Sequence, residues 1–434
     1  MFLKISSGLC ALLLVASAHA NGIYRNGNGA RAMSLGGADV AWADDALGAM
    51  TANPAGLGFL EVPKLELGIV AAKASGDYNK SPSLGGDLDS SPGFAPELAF
   101  AMPIGDSPVS FGLAFVPDAL LSADWTYTDA PGGLGGTTSY GRRRHKSEIV
   151  LLRSSIGLGV RLHEKLSFGA SLGLTYNENK LQAPYIFQEQ AALRGAKALL
   201  DLETTGYGWN GQAGFLFRPC DDWQFGLSYK SQTRIHSEGD ASGDAGAQFG
   251  VPSLPFSYDA EVVNTFPQTI SGGASWQVHP RLRLVTQIDY INWADAFDDL
   301  PVKLRNGSSA AVNGVAGSSA IQDSVPLDWE DRFVYRAGLE FALQENLFLR
   351  GGYAYGKSPV PDKTLTPLTA SISEHTVTAG IGFEHGKYKL DLGYQWDLPA
   401  SQDVEQSKLR AGEYNNSSVE VGVHWLALTA SRTF

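Results

Sequence analysis

The sequence has few of the features that would hold it together through disulfides or carry it across a membrane as helices. Its only cysteines are Cys10 and Cys220, and Cys10 falls in an N-terminal segment that we expect to be removed. A single remaining thiol excludes an intramolecular disulfide. Beyond residue 20 the chain also lacks any run of about 18 consecutive apolar residues, the length a transmembrane helix needs.

The first 20 residues have the pattern of a secretory signal peptide. Lys4 supplies a positive start, residues 9–16 form an apolar stretch too short to span a bilayer, and Ala18-His19-Ala20 is a small-x-small cleavage site. We therefore expect a mature chain that begins at Asn21 and a protein that leaves the cytoplasm.

Basic residues are scarce as well. Against 45 Asp and Glu there are 33 Lys and Arg, and removal of Lys4 leaves a formal charge of −13. This balance argues against a nucleic-acid partner. The eight His residues show no metal-ligand spacing, and residues 27–32 match a dinucleotide fingerprint only loosely, with no strand before them. We expect no metal, no cofactor and no nucleic acid.

Alternation of apolar and polar residues is abundant. In residues 165–176 the apolar side chains occupy every second position, and the same holds for 377–383 and 387–398. Successive side chains of a strand point to opposite faces, so each segment has one apolar and one polar face. Strands of soluble proteins average about five or six residues, whereas a tilted strand needs about ten to cross a membrane. The longer runs indicate membrane-spanning strands.

The predicted strands are joined alternately by long and short links, which is typical of outer-membrane barrels with long external loops and short periplasmic turns. The pattern predicts an all-β fold: a 14-stranded antiparallel transmembrane β-barrel over residues 61–434, integral to a bacterial outer membrane, with both termini periplasmic. The strands are expected at 64–72, 97–103, 109–117, 147–162, 165–177, 207–217, 223–237, 262–278, 281–293, 328–342, 346–357, 374–385, 387–398 and 414–434.

The last predicted strand has two further features. Its apolar face changes side near Trp425, which predicts a β-bulge there. The chain ends on Phe434, and a terminal aromatic residue suggests the barrel assembly machinery as a partner.

Residues 21–60 do not alternate and are rich in Gly, Ala and Asn. A 14-stranded barrel encloses a lumen wider than its own side chains fill. We therefore expect this segment to fold into the lumen as a hatch that plugs it. The alternative is a flexible periplasmic tail.

Several short motifs, in order, resemble the FadL-type long-chain fatty-acid transporters of the outer membrane, whose relatives also import aromatic hydrocarbons. The resemblance covers about residues 28–434. It rests on Ala43-Asp44-Asp45-Ala46 and Asn53-Pro54-Ala55 in the hatch, on Gly206-Tyr207-Gly208-Trp209-Asn210-Gly211, Tyr229-Lys230-Ser231, Phe266-Pro267, Asp331 with Arg336-Ala337-Gly338, and on Leu349-Arg350-Gly351-Gly352-Tyr353 followed by Ser358-Pro359-Val360-Pro361.

The resemblance implies a mechanism of external capture, passage to an interior pocket and lateral release through a kink in the third strand. Proline cannot donate to a β-ladder, so Pro117 marks a break or a strand end. Many relatives have Gly two positions later, where this chain has Ala119. Pro117 either forms the kink or begins the external loop. Residues 188–202 are expected to form a loop helix at the capture site or on the barrel rim.

The predicted pocket departs from the family's pattern. A desolvated carboxylate needs a cation or hydrogen-bond donor, and fatty-acid members place basic residues where this chain has Glu178 and Glu330. Lys180 and Arg332 lie two positions further on and share their faces, and Trp329 lies beside them. Either these cations substitute or the ligand is neutral.

The functional hypotheses are ordered accordingly. The first is passive uptake of hydrophobic compounds, long-chain fatty acids before neutral hydrocarbons, and the others are a polar porin, an outer-membrane enzyme and an adhesion barrel. We expect no enzyme, because Ser171 in Gly169-Ala170-Ser171-Leu172-Gly173 lacks the strand-to-helix elbow of a hydrolase. The basic run at residues 142–146 either contacts lipopolysaccharide phosphates or is a solvated rim.

Overall fold

The computed structural model describes residues 22–88 and 91–434, so the predicted signal peptide and Asn21 lie outside the described residues. Most of the described chain forms strands. They are β1 (Lys64–Asn79), β2 (Gly86–Asp87), β3 (Gly93–Pro103), β4 (Val109–Thr128), β5 (Arg142–His163), β6 (Leu166–Ile186), β7 (Lys197–Cys220), β8 (Trp223–Lys230), β9 (Thr233–Asp244), β10 (Pro255–Phe266), β11 (Thr269–His279), β12 (Leu282–Ile291), β13 (Asp299–Arg305), β14 (Ile321–Pro326), β15 (Arg332–Gln344), β16 (Leu347–Gly356), β17 (His375–His385), β18 (Tyr388–Val404) and β19 (Ser417–Thr433).

The helices are short. They are α1 (Ala30–Ser34), α2 (Ala46–Thr51), α3 (Gly246–Phe249) and α4 (Ala310–Ala316), with 3₁₀ turns at Pro54–Phe59, Asp362–Thr364, Pro367–Thr369 and Arg410–Gly412. Across residues 22–88 and 91–434, none of the helices has the length and apolar character needed to cross a membrane.

Fourteen antiparallel strands close into a barrel, as the sequence predicts. Closure is made by β1 and β19, which pair without interruption from Lys64↔Thr433 to Asn79↔Ser418. Both ends of the barrel sequence therefore lie at the end with tight turns, here called the turn end; the opposite end is the loop end. Around the wall the order is β1, β3, β4, β5, β6, β7, β8, β11, β12, β15, β16, β17, β18 and β19.

Alternation along each strand separates a lipid-facing from an inward-facing surface. In β6, Gly169, Ser171 and Gly173 are buried while Leu172, between them, is 49% exposed. Aromatic rings gather near both ends of the wall: Tyr176 meets Tyr207, and Trp223 stacks on Trp276. Apolar side chains outside with small or polar ones inside suit a wall between lipid and a filled lumen.

Several strands extend well beyond the predicted bounds at the loop end, where further strands pair with one another as part of the same sheet. β9 and β10 continue β8 and β11, and the β13–β14 hairpin pairs with β10. This extension encloses an apolar cluster that includes Leu200, Leu202, Ala241, Phe256, Tyr258, Ala260, Leu304 and Ile321.

The predicted loop helix at residues 188–202 is wrong. Residues 188–196 form turns, and β7 begins at Lys197. Ala198, Leu200 and Leu202 are buried at every second position, so their spacing is that of a strand whose apolar face packs on the loop-end cluster.

The predicted bulge near Trp425 is also wrong. β19 keeps its register with β1 throughout, and the irregularity lies in the partner strand, between Asp397 and Ala400 of β18. Trp425 is buried in the lumen whereas Leu426 faces outward. The apolar pattern changes side because the upper part of β19 faces an apolar interior and the lower part faces lipid.

Residues 22–60 lie inside the wall rather than extending from it. α1 contacts β16, β17, β18 and β19, and the 3₁₀ turn at Pro54–Phe59 contacts β5, β6 and β7. Most of their side chains are buried. This segment occupies the lumen toward the turn end and leaves an apolar cavity on the loop side.

Candidate functional site: a lumenal cavity and an interrupted wall

An apolar cavity, here called the main cavity, lies between residues 22–60 and the loops and encloses about 170 Å³; a more polar cavity of about 270 Å³ lies at the turn end. Its walls come from β5, β6, β7, β10, β13 and β14, with residues of the later loops closing it. Apolar side chains dominate, among them Leu121, Ile149, Ile186, Phe187, Val262, Phe297, Leu300, Val325, Leu327 and Trp329. A site of this composition suits an apolar ligand.

Two aromatic rings, Phe297 and Trp329, line one side of the main cavity, and two further rings outside the lining pack against them. Phe297 stacks on Trp329 with ring centroids 4.7 Å apart, and Trp293 packs edge-on against both, at 5.2 and 5.0 Å. Phe266 contacts Phe297 at 6.0 Å. Trp329, which the sequence analysis singled out, therefore does line the cavity, and its side chain is almost fully buried.

The carboxylates that line the main cavity are Glu148, Asp299, Asp323 and Glu413, and each has a hydrogen-bond or ion-pair partner. Glu148 pairs with Lys146 at 2.8 Å. Asp299 accepts from the Ser324 hydroxyl. Asp323 accepts from Tyr185 Oη at 2.6 Å and from backbone N–H groups of residues 188–190.

Lys180 and Arg410 are the cations that contribute to this lining in the described chain. Lys180 Nζ lies 2.5 Å from Glu178 Oε1 and 3.3 Å from Glu203 Oε1, so its charge is already neutralised. Arg410 is exposed at the mouth, where its Nε donates to the Gln188 carbonyl at 3.3 Å. Among the described residues, the lining of the main cavity thus offers no desolvated, unpaired cation for a ligand carboxylate.

Of the other predicted pocket residues, Glu178 is not among those that line the cavity. Glu178 and Lys180 share the lipid-facing side of β6 with Leu172 and Tyr176, and Tyr176 Oη donates to Glu178 at 3.2 Å.

The guanidinium of Arg332 is hydrogen-bonded to neighbouring groups of the protein. Its Nε donates to the Ser358 carbonyl at 2.8 Å and its Nη2 to Glu330 at 2.6 Å, while the Glu330 side chain is 59% exposed. Neither residue is among those that line the cavity.

An inward-facing amide chain was missed by the sequence analysis. Asn177 and Asn179 of β6 and Asn264 of β10 are buried and joined side chain to side chain, at 2.9 and 2.5 Å. A signal was present, because Thr175, Asn177 and Asn179 continue the polar face of the predicted strand beyond its predicted end. The side chains of that face point into the barrel, whereas Glu178 and Lys180, at the intervening positions, lie on the opposite face of β6.

A buried charged cluster joins three loops at the main cavity, and its Glu413 is part of the cavity lining. Lys197 Nζ contacts Asp129 and lies 3.1 Å from Glu413 Oε1. Burial, opposed by the charge of Lys197, raises the pKa of Glu413 to about 7. The cluster ties the loops after β4, β6 and β18 to one another.

The wall is interrupted beside β4. β3 pairs with β4 only from Leu98↔Phe115 to Pro103↔Ser110, whereas β5 follows β4 to Thr128. The β4–β5 register shifts between Pro117 and Ala119, which makes Asp118 a bulge residue. Pro117 therefore lies inside a strand and does not begin the external loop. Beyond Phe115, β4 has left β3, and we call this interruption the β3–β4 gap.

The start of the described chain covers the β3–β4 gap from inside. Tyr24 forms an isolated antiparallel bridge with Ala119, and Leu120 N donates to the Ile23 carbonyl at 3.3 Å. Arg25 Nη1 donates to Glu97 Oε1 of β3 at 2.8 Å, and both side chains are buried. A separate polar cavity of about 120 Å³ adjoins these residues, and Asp118 there pairs with Lys230 at 2.5 Å.

The predicted hatch residues connect the N-terminal segment to itself and to the wall. Asp44 and Asp45 both bind Arg31, and Asp45 accepts from Gly48 N at 2.6 Å, capping α2. Asn53 donates to the carbonyls of Val40 and of Phe215 in β7, at 2.9 and 3.1 Å.

Pro54 and Ala55 complete this junction. Ser167 Oγ of β6 donates to the Ala55 carbonyl at 2.7 Å. The Pro54 carbonyl lies so close to β6 that a Cβ at Gly169 would be 2.0 Å from its oxygen.

Two other motifs, the Gly-x-Ser-x-Gly pattern around Ser171 and the basic run at residues 142–146, have partners within the protein. Ser171 lies within β6 and accepts from Arg153 Nη2 at 3.2 Å, far from any strand-to-helix turn. In the basic run, Arg144 pairs with Asp124 at 2.5 Å and Lys146 with Glu148. In residues 22–88 and 91–434, no group of three or more His, Cys, Asp or Glu is placed to hold a metal.

Comparison with known proteins agrees with this geometry. A family model described as outer membrane protein transport protein (OMPP1/FadL/TodX) matches residues 11–434. The long-chain fatty acid transport protein of Escherichia coli K12 is 23% identical over 420 residues, covering 88% of this chain and 87% of that protein. The Pseudomonas putida toluene transporter TodX superposes with a TM-score of 0.75 at 20% identity, covering 95% and 100% of the two chains. The Ralstonia pickettii toluene transporter TbuX gives 0.75 at 18% identity, covering 94% and 99%.

Proposed function

The chain belongs to the OMPP1/FadL/TodX family of outer membrane transport proteins, and from that membership we propose that it takes up uncharged hydrophobic molecules by passive diffusion. The observation that carries the choice of an uncharged ligand is the charge state of the main cavity. Its lining is apolar, its carboxylates are satisfied, and Lys180 is neutralised by Glu178 and Glu203. A carboxylate stripped of water there would lack the cation that offsets its desolvation.

The proposed route begins at the loop end, which faces the outside, and ends in the outer membrane itself. Hydrophobic molecules enter the main cavity between the loops, and leave sideways through the β3–β4 gap. Residues 22–60 act as the hatch that denies water and polar solutes a path through the barrel. Lateral exit favours apolar cargo, because such a molecule passes into lipid without crossing an aqueous channel.

Long-chain fatty acids are the second candidate, and Arg410 is the observation that favours them. Its guanidinium lies at the mouth of the main cavity, with no carboxylate partner among the described residues. A fatty acid could leave its carboxylate at this exposed cation while its chain occupies the cavity. The Escherichia coli relative is named as a long-chain fatty acid transporter.

Uptake of labelled toluene and labelled oleate separates the two candidates. The protein would be expressed in cells that lack their own transporter. We expect toluene to enter well above background and oleate to remain near it. If oleate enters and Arg410→Ala slows it several-fold, the ligand is a fatty acid. Arg432→Ala, an exposed arginine at the turn end, is the matched control and should change neither rate.

Deletion of residues 21–60 tests the role of the hatch. The variant should become permeable to polar solutes such as labelled sugars, since the lumen would then hold no plug. An adhesion barrel would instead still bind its partner after the deletion. A polar porin would admit sugars already as the intact protein. Uptake of neither toluene nor oleate by the intact protein would refute the transport proposal for this chain.

A further inference from the structure

Two buried polar atoms, on residues that line the main cavity, lack a hydrogen-bond partner in the described chain. They are Trp329 Nε1, a donor, and Asn264 Oδ1, an acceptor. Their residues are only 3% and 2% exposed. Buried polar groups are nearly always paired, and an unpaired one costs about 1–3 kcal/mol. A site that keeps one donor and one acceptor unpaired is suited to a ligand that supplies both complements.

The direction of the Asn264 amide is fixed by the network behind it. Asn177 Nδ2 donates to the Val150 carbonyl at 3.3 Å, so its Oδ1 must accept from Asn179 Nδ2, at 2.9 Å. The Oδ1 of Asn179 is then the acceptor that receives Asn264 Nδ2, at 2.5 Å. The reverse orientation would bring two carbonyl oxygens together at that distance. Asn264 therefore presents its oxygen, and not its NH₂, as the free group.

The two free atoms belong to one part of the cavity. Asn264 and Phe266 are on the same face of β10, two residues apart. Phe266 contacts Phe297 at 6.0 Å, and Phe297 stacks on Trp329 at 4.7 Å. The donor and the acceptor thus belong to side chains linked through one aromatic group, of which Phe297 and Trp329 line the cavity and can pack against an apolar body.

We propose that the main cavity binds hydrophobic molecules carrying one hydroxyl group, an alcohol or a phenol, whose O–H donates to Asn264 Oδ1 and whose oxygen accepts from Trp329 Nε1–H. The inference rests on the proposed function and narrows its ligand class. A hydroxyl is the simplest neutral group that both donates and accepts. A hydrocarbon leaves both protein atoms unpaired, and a carboxylate places an anion against the Asn264 oxygen.

The test is binding of p-cresol, toluene and p-toluate to the purified full-length protein in nanodiscs, measured by displacement of labelled toluene. The informative quantity is the ratio of the toluene to the p-cresol dissociation constant, compared between variants, because partition into lipid cancels. Trp329→Phe keeps the ring and removes the N–H, and it should lower this ratio about tenfold, the equivalent of 1.4 kcal/mol. The p-toluate anion should bind more weakly than either neutral ligand.

Asn264→Leu is the second variant and should lower the ratio to a similar extent. It leaves Asn179 without its donor, so its folded state is checked by heat-modifiable mobility; Trp329→Phe disturbs no such contact. Trp293→Phe, in the same aromatic group but outside the cavity lining, is the matched control and should leave the ratio unchanged.

The outcomes of this test distinguish the hydroxyl inference from the transport proposal on which it rests. If toluene binds and enters cells but Trp329→Phe changes both affinities in the same proportion, the hydroxyl inference is wrong and the transport proposal stands. If toluene neither binds nor enters, both are wrong.

Discussion

At the scale of the residue, a buried arginine connects the N-terminal segment to the wall. Arg336 of β15 donates to Asp289 of β12 at 2.6 Å, to Asn26 Oδ1 at 2.5 Å and to the Gly36 carbonyl at 3.0 Å. Its side chain is only 5% exposed. One guanidinium thus satisfies a buried carboxylate and two oxygens of the N-terminal segment, a use for which its fixed fork of donors is suited.

We predict that Arg336→Met loosens the N-terminal segment and makes the barrel leak. Removing one partner of a buried ion pair costs about 3–5 kcal/mol, because the other charge stays buried without compensation. Single-channel conductance in planar bilayers should show openings that the unsubstituted protein lacks. Arg305→Met is the matched control, since Arg305 pairs with Glu261 on an exposed surface. A closed, normally stable Arg336→Met barrel would contradict the prediction.

Individual residues were the part of the site that sequence reasoning placed least well. Of the residues it named, Trp329 and Lys180 lie in the lining of the main cavity, Glu178 does not, and Pro117 lies beside a bulge within β4. In a strand, an error of one position moves a side chain to the other face of the wall. The contacts that neutralise Lys180 come from β7 as well as β6, and such cross-strand partners depend on register.

At the scale of the element, glycine decides how closely the N-terminal segment approaches the wall. The 3₁₀ turn at Pro54–Phe59 lies directly on β6, where Gly169 faces the Pro54 carbonyl. Any side chain at position 169 would meet backbone atoms that cannot rotate away. The small inward residues of β6, read from the sequence as one face of a strand, are thus the surface on which this turn packs.

We predict that Gly169→Ala detaches the turn while leaving the barrel intact. The new Cβ would lie 2.0 Å from the Pro54 oxygen and 2.5 Å from Ala55 N, so the turn must move by an ångström or more. Overpacking of this kind costs about 1–3 kcal/mol. Hydrogen exchange of the amides in residues 53–59 should accelerate about tenfold or more, in line with that cost.

Gly211→Ala supplies the control for this substitution. Gly211 is also a wall glycine, in β7, and a Cβ there would meet nothing within 4 Å. Exchange in residues 53–59 should be unchanged in that variant. Equal exchange in both variants would mean that close packing at Gly169 does not hold the turn.

The sequence predicted the strands well where contact with lipid enforces an alternating pattern, and less well at the loop end, where that contact is missing. The 14 wall strands and the tight turns at one end follow from a period of two that the membrane enforces on the outward face. At the loop end, β9, β10, β13 and β14 are covered by protein, so their pattern is weaker. The helix expected at residues 188–202 is absent because the apolar residues from Ala191 to Leu200, which suggested one side of a helix, belong partly to turns and partly to β7.

At the scale of the whole molecule, the covered gap in the wall and the filled lumen involve the same short segment. Residues 23–25 lie against β4 through Ala119 and Leu120 and against β3 through Glu97. Local sequence predicts neither the position of the gap nor the segment that covers it, because both depend on where β4 leaves β3. If release is lateral, this segment has to move away from β4 in each transport event.

We predict that locking residue 24 to residue 119 stops uptake without unfolding the barrel. Directly opposed residues of an antiparallel pair have Cα atoms about 4.5–5.5 Å apart, within the roughly 4.4–6.8 Å that a disulfide spans. Tyr24→Cys with Ala119→Cys should therefore oxidise readily, in a background where the exposed Cys220 is replaced by Ser. Toluene uptake should fall to background in the oxidised protein and return on reduction. Tyr24→Cys alone, treated identically, should respond to neither oxidant nor reductant. Undiminished uptake through the crosslinked barrel would show that cargo leaves by a path other than the β3–β4 gap.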